Sequence, residues 1–524
     1  MGKKSKRNRS NKAKQQNAPK TEEPNNENEI QNQNVPPSLR KKEEEEETID
    51  NLKFEDPYED VFIKEEESMV VSDNEEEYKT RTVNLEEEEE EQKIQSWTPL
   101  NEESKEEIEI TPEAYKLYFN LTTEWPCLSF DIINDNLGYN RTKFPHSLTA
   151  VIGTQADYDR NNKITVLRLN DLGRMKNDNE DSDDEGSENS DSDSDDEDHE
   201  PTLEHYSMKH DGGVNRLRVL QPTPEQQQQH QIDQVIVSTW SSKGTVNLYN
   251  VSPLVQKFDM STYKGPSNKG DSNRPFFVYS GHRTEGYAMA FHKKEYGTLA
   301  TGDCSGDIHI WNYIHSSNGY QYDQNSWSVE PYYKAENSIE DIQWSPTEST
   351  VLCSAECDGY VNIYDTRCKG RSMIHTLISP NHKDINVLSW NEKVTNLLAT
   401  GTDDGVFSVW DLRTFSTQKG NDLKPLARFQ PCKKPITSLE WHPTDESMII
   451  VSDEDTTYVY DLSVEVDDEE QVKSDENLPD VPPQMLFMHC GNRMTKEVHW
   501  HNQISSLVMT TSLNGFNVFI PSNL

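Results

Sequence analysis

A segment that ends in an aromatic residue followed by Asp or Asn recurs along this chain. It closes at Tyr249-Asn250, Trp311-Asn312, Tyr364-Asp365, Trp410-Asp411 and Tyr460-Asp461, and successive ends lie 62, 53, 46 and 50 residues apart. A last copy occupies residues 491–520. Each copy reads as an alternating apolar strand, a turn with Pro or Asn, a short buried strand, a tight turn and another alternating strand. In residues 402–411, "TDDGVFSVWD", Asp404-Gly405 supplies the tight turn, and Val406, Ser408 and Trp410 alternate with Phe407 and Val409. Strand-rich units recurring at about 45 residues predict propeller blades. One blade cannot bury both of its faces, but neighbours stacked in a ring do so and leave only short protected edges. Six copies are clear, and residues 147–172, with two strands around an Asn-Asn turn, predict a seventh upstream. The expected fold class is all-β, a propeller of seven blades, with eight as the alternative. Propellers commonly close by pairing strands from the two chain ends, and "WPCLSFDII" (125–133) is expected to supply the outer part of a composite blade.

Residues 112–124 read as a helix at the start of the folded region. Thr111 suits an N-cap and Pro112 the first helical position. Tyr115, Tyr118 and Phe119 then share one face, and Pro126 stops further helix.

Charge divides the rest. The net charge of the 524 residues is −43. Residues 1–20 hold eight Lys or Arg and no acid, residues 21–110 hold 32 acids and nine bases, and residues 177–200 hold 14 acids and no base. Such tracts bury too little apolar surface to offset chain entropy and are expected to be disordered. The organisation is therefore a basic arm (1–20), a Glu-rich region (21–110) and a propeller (111–524). Acidic insertions at 177–200 and 464–485 are read as loops between blades, cheap in stability. Solvation alone explains modest surface charge, but three acidic tracts in one chain point to a strongly basic partner. Asp183, Asp184, Glu185, Asp195, Asp196 and Glu197 of the first insertion, and Asp467, Asp468, Glu469 and Glu470 of the second, are its candidate contacts. Ser182, Ser187, Ser190, Ser192 and Ser194 lie among acids that suit an acidophilic kinase; each phosphate would add about −1.5 to −2.

Other classes are disfavoured. Seven scattered cysteines form no Cys-x-x-Cys pair, so reduced, buried thiols are expected rather than a metal site. The chain has no run of 18 apolar residues and a polar N-terminus, so a soluble, non-secreted protein without a membrane partner is expected. The arm "KKSKRNRSNKAK" (3–14) reads as a nuclear import signal, or as a basic arm touching nucleic acid or the chain's own acidic tracts. Phosphate repulsion opposes nucleic-acid binding by so acidic a molecule. The sequence contains no Gly-rich phosphate loop, nucleophile elbow or paired-carboxylate site, and neither an enzyme nor a cofactor is expected. His282, Asp307 and Trp311, and likewise His382, Asp404 and Trp410, fall at repeat positions and are read as structural. His442 and His501 follow strand-end tryptophans and are read as turn residues.

The combination of "AYKLYFNLTTEWPCLSFDII", the "GH…WN" and "H…WDLR" repeats and an acidic loop ending in "DVPPQMLFMHCG" resembles the histone-binding WD-repeat proteins. The Glu-rich N-terminal part and the Asp/Ser-rich insertion resemble more closely the glutamate-rich WD-repeat family of ribosome-assembly proteins. The resemblance implies a seven-bladed WD-repeat β-propeller with a helix on its side. It also implies a nuclear and nucleolar chaperone, able to shuttle from the cytoplasm. The client would be a newly made basic ribosomal protein, the third of the large-subunit series, delivered to early pre-60S particles. A histone chaperone or chromatin-complex subunit is the alternative. In the histone-binding relatives a client helix lies between the N-terminal helix and the acidic loop. Carried over, that groove has Tyr115, Leu117, Tyr118 and Phe119 on one side and Asp467–Glu470, Pro482 and Pro483 on the other, with "QVKSDENL" inserted before the prolines. "YDTR" (364–367) and "WDLR" (410–413) also resemble the WDxR signature of cullin-ligase substrate receptors, a third reading.

Overall fold

Along a strand successive side chains point to opposite faces, so a repeat that is apolar on both faces must be covered on both. The computed structural model describes residues 111–175, 200–223, 226, 234–259, 274–314, 327–368, 370, 372–379, 382–415, 423–465 and 481–524. Among these, seven four-stranded antiparallel sheets are the blades of a β-propeller. Blade 1 contains Ser129–Ile133, His146–Gly153, Lys163–Leu172 and Thr202–Lys209, from the axis outward. Blade 2 contains Val214–Leu220, Ile236–Ser241, Thr245–Asn250 and Phe277–Tyr279, and blade 3 Ala288–Phe291, Leu299–Gly302, Asp307–Tyr313 and Trp327–Lys334. Blade 4 contains Ile339–Trp344, Val351–Glu356, Tyr360–Asp365 and Ser372–Leu377, and blade 5 Ile385–Trp390, Leu397–Thr402, Phe407–Asp411 and Ala427–Phe429. Blade 6 contains Ser438–Trp441, Met448–Ser452, Thr457–Asp461 and Met485–His489. Blade 7 takes Val498–Trp500, Val508–Ser512 and Gly515–Pro521 from the C-terminal end of the chain, and its outer strand, Tyr115–Thr122, from the N-terminal side.

Each seam between neighbouring blades holds its own apolar cluster. Phe407 and Val409 pack toward Trp441, Val451 and Tyr460 of blade 6, whereas Trp410 packs toward Val361 and Ile363 of blade 4. The alternation in "VFSVW" is thus a division of one strand between two seams. The Asp404-Gly405 turn forms as expected, with Gly405 at φ +79° and its amide donating to the Thr402 carbonyl. A Cβ there would sit 2.3 Å from the Cys432 carbonyl oxygen, so only glycine fits.

Three expectations are corrected. First, residues 112–124 are not a helix. Pro112–Ala114 make one 3-10 turn, without a side-chain cap from Thr111, and Tyr115–Thr122 continue as a strand antiparallel to Gly515–Pro521. The register slips between Tyr115 and Leu117. A bulge of this kind puts Tyr115 and Tyr118 on the same side, which imitates helical spacing. Beyond it the period is two: Leu117, Phe119 and Leu121 all join the seam with blade 1. Second, Ser129–Ile133 is the innermost strand of blade 1, so the composite strand comes one segment earlier than "WPCLSFDII". Third, both acidic insertions lie within blades, joining third to fourth strands of blades 1 and 6. The repeat unit read from sequence stopped at the third strand, because the outer strand carries the weakest apolar pattern; that of blade 1 is almost wholly exposed.

Candidate functional site

In a four-stranded antiparallel meander, the first-to-second and third-to-fourth connections emerge at one end and the second-to-third connection at the other. The two acidic insertions therefore leave and rejoin the disc at the same end, through Leu172 and Thr202 in blade 1 and Asp461 and Met485 in blade 6. Tyr115 lies opposite Pro521, the last residue of the third strand of blade 7, so the chain also enters that blade at this end. The attachment points of all three acidic tracts thus share one end of the propeller. The third tract, 464–485, holds eight acids and one lysine. Asp183, Asp184, Glu185, Asp195, Asp196, Glu197, the five serines and Asp467, Asp468, Glu469 and Glu470 lie outside the described residues.

The remaining groove residues meet at the outer edge between blades 6 and 7, but not as one face. Tyr115 and Leu117 are buried, at 9% and 1% exposure. Leu117 and Phe119 face blade 1, whereas Tyr115 and Tyr118 turn toward blade 6. The Tyr115 hydroxyl and His489 Nδ1 are hydrogen-bonded at 2.7 Å, and Tyr115 meets Phe487 edge-on at 5.4 Å. Burial pushes the His489 imidazole down to about 4, so this contact is between neutral groups. Tyr118 donates to Asn517 Oδ1 at 3.1 Å. Pro482 and the exposed Pro483 make the turn into the outer strand of blade 6, where the Met485 amide donates to the Pro482 carbonyl. Asn523 donates to the Leu486 carbonyl and Ser522 to that of Ala114, tying both chain ends to this edge.

A buried charge network, missed in the sequence, closes the ring near its axis. Glu497 is 1% exposed and accepts Arg216 Nη1 at 2.8 Å and Arg218 Nη1 at 2.7 Å, both from the inner strand of blade 2. Its other oxygen accepts the Phe130 amide of blade 1 at 2.8 Å. His499 Nδ1 meets Glu440 Oε2 of blade 6 at 2.7 Å. Burial opposes ionisation of Glu497, but Arg218, Arg216 and His499 outweigh it and hold the carboxyl well below its usual range. Burial likewise opposes protonation of His499, yet Glu440 and Glu497 raise it to about 10. Charged residues inside an inner-strand alternation, as in "NRLRV" and "KEVHW", were the available signal.

Residues 105–172 match a family model described as histone-binding protein RBBP4 or a component of the CAF1 complex. Ribosome assembly protein rrb1 of Schizosaccharomyces pombe is 36% identical over 470 residues, covering 89% of this chain and 92% of that protein. Glutamate-rich WD repeat-containing protein 1 of Dictyostelium discoideum is 36% identical over 436 residues, 81% of this chain and 83% of its own. Protein HEAT STRESS TOLERANT DWD 1 of Arabidopsis thaliana is 36% identical over 445 residues, 80% and 90%. The chain belongs to the rrb1 and glutamate-rich WD-repeat family.

In this family member the other candidates are part of the scaffold. His282 Nδ1 meets Asp303 Oδ2 at 3.1 Å and its Nε2 meets Thr301 Oγ1 at 2.8 Å, while Trp311 Nε1 donates to the same hydroxyl at 2.9 Å. Asp303 thus holds the position assigned to Asp307. Trp410 repeats the contact with Thr400, but His382 is half exposed and pairs with Asp358 instead of joining it. Asp411 holds Arg413 through both carboxylate oxygens, and Asp365 holds Arg367 in the same way. Each pair stays within its own turn, with arginine side chains that are 72% and 71% exposed.

Proposed function

We propose that this chain is a non-catalytic ribosome-assembly chaperone. It screens a newly made, basic large-subunit ribosomal protein, the third of the series, and delivers it to early pre-60S particles in the nucleus and nucleolus. The observation that carries this reading is the shared end at which three polyanionic tracts attach. The names of the full-length relatives support the assembly role. Basic tails built to lie on rRNA would otherwise bind any polyanion or aggregate. Exposed ion pairs are worth under about 1 kcal/mol each, so many flexible carboxylates hold a tail loosely, with fast association and strong salt dependence. Denser charge on rRNA then takes the client. The rigid edge between blades 6 and 7, with Tyr118, Phe119, Pro482 and Pro483, supplies directional contacts beside Asp467–Glu470.

The match of residues 105–172 to a histone-binding family favours histones as the second reading. Isolation of the tagged protein at low salt, with partners identified by mass spectrometry, separates the two. One stoichiometric large-subunit ribosomal protein is expected; core histones in its place overturn the first reading.

A further inference from the structure

We propose that a groove between blades 3 and 4 is a further client contact, a seat for a Lys or Arg side chain borne on a basic segment of the partner. This rests on the reading of the client as a basic protein. The groove encloses about 360 Å³. Its apolar floor is Ile310, Tyr332 and Trp344, each under 9% exposed, and Glu295, Glu330 and Thr366 line its rim. The floor is fixed in place. Trp344 Nε1 donates to the Ala290 carbonyl at 3.0 Å, and the Tyr332 hydroxyl donates to the Asp365 carbonyl at 2.6 Å. Both polar handles are used inside the blades, which leaves carbon surface to the groove. The two lysines beside Glu295 are already engaged: Lys293 pairs with Glu392, and Lys294 donates to the Thr347 carbonyl at 3.2 Å.

Apolar floor, aromatic wall and acidic rim match the two halves of a long basic side chain. Its methylene stem covers carbon surface while its head reaches carboxylate, and a cation beside an aromatic face gains further attraction. A small neutral ligand would leave the rim charges unused. Position supports the assignment. The groove is built from the first-to-second connections of blades 3 and 4 and from Thr366, just beyond the third strand of blade 4. That is the end where the acidic tracts attach. A basic client held by those tracts would meet a fixed, directional contact here, three blades from the Tyr118 edge.

The test uses the tagged full-length chain. Glu295→Gln with Glu330→Gln removes the charge, and Thr366→Trp fills the groove with both charges kept. Asp157→Asn with Asp403→Asn removes equal charge from exposed turns at the opposite end. Capture of basic protein is quantified by mass spectrometry at low salt, and a fluorescein-labelled Arg-Gly repeat peptide is titrated by anisotropy. Both groove variants should lose about ten-fold in peptide affinity and in capture, with unchanged melting temperature, while the control retains both. Undiminished binding by the two groove variants overturns the groove and leaves the chaperone reading standing. Groove-dependent peptide binding by a wild-type chain that captures no basic protein overturns the chaperone reading alone. A wild-type chain that binds neither overturns both.

Discussion

Glu497 is surrounded by Arg216, Arg218 and His499 in a space almost closed to water. Removing one partner from a buried ionic cluster strands the others, which typically costs about 3–5 kcal/mol. Glu497→Gln should therefore lower stability by about that amount, read as the urea midpoint with an unchanged slope. His499 gives the cluster a pH signature. Its folded value, about 10, lies above the ordinary imidazole value of 6.5. Its contribution is thus complete below 6.5 and drains away as pH rises toward 10. Stability should fall by about 2 kcal/mol more between pH 7 and 9 in the wild type than in His499→Asn. Equal losses would show that the imidazolium is not held by Glu440 and Glu497. This cluster was hard to read in sequence because a charged residue in a strand usually faces solvent; only ring closure turns these inward. Turn residues were easier. His442 and His501, read as turn residues, each accept two backbone amides through Nδ1. Ser345 and Asn391 do the same at the equivalent place in blades 4 and 5. Any short acceptor after the strand-end aromatic serves.

Among elements, Tyr115–Thr122 decides whether the ring closes. It supplies the fourth strand of blade 7, and the Leu121 carbonyl approaches Gly515 so closely that a Cβ there would lie 1.8 Å from it. A chain starting at residue 105 should melt as the full-length protein does. One starting at 123 should lose the cooperative transition, since it exposes both seams that the strand seals. A helix laid on the outside would give no such difference, so scanning calorimetry of the two truncations distinguishes the architectures. Leu117→Ala should cost about 2–5 kcal/mol, against little for exposed Asn120→Ala. Sequence showed the blades because third strands, ending in aromatic-Asp, are apolar on both faces and therefore distinctive. It concealed this strand because one bulge at Lys116 replaced a period of two with a spacing of three. The outer strands were obscure for a related reason: with one neighbour and much solvent, their side chains are weakly specified.

For the whole molecule, the argument turns on where charge is attached rather than on how much there is. The chain's −43 would suppress aggregation wherever it lay. Function as a client shield requires that the tracts reach the same bound protein, and their shared end supplies that condition. Position can be tested apart from charge. Deleting residues 177–200 should leave the melting temperature unchanged and reduce client capture at low salt, with less difference as salt rises and screening shortens the reach of charge. A sharp drop in melting temperature would mean that the segment is structural. Moving the same 24 residues into the Asp404-Gly405 turn of the deletion variant restores net charge at the opposite end of the disc. Because those carboxylates then sit across the thickness of a blade from the other two tracts and from the edge at Tyr118, capture should stay low. Full recovery would show that net charge alone holds the client and that the common attachment end has no bearing on it.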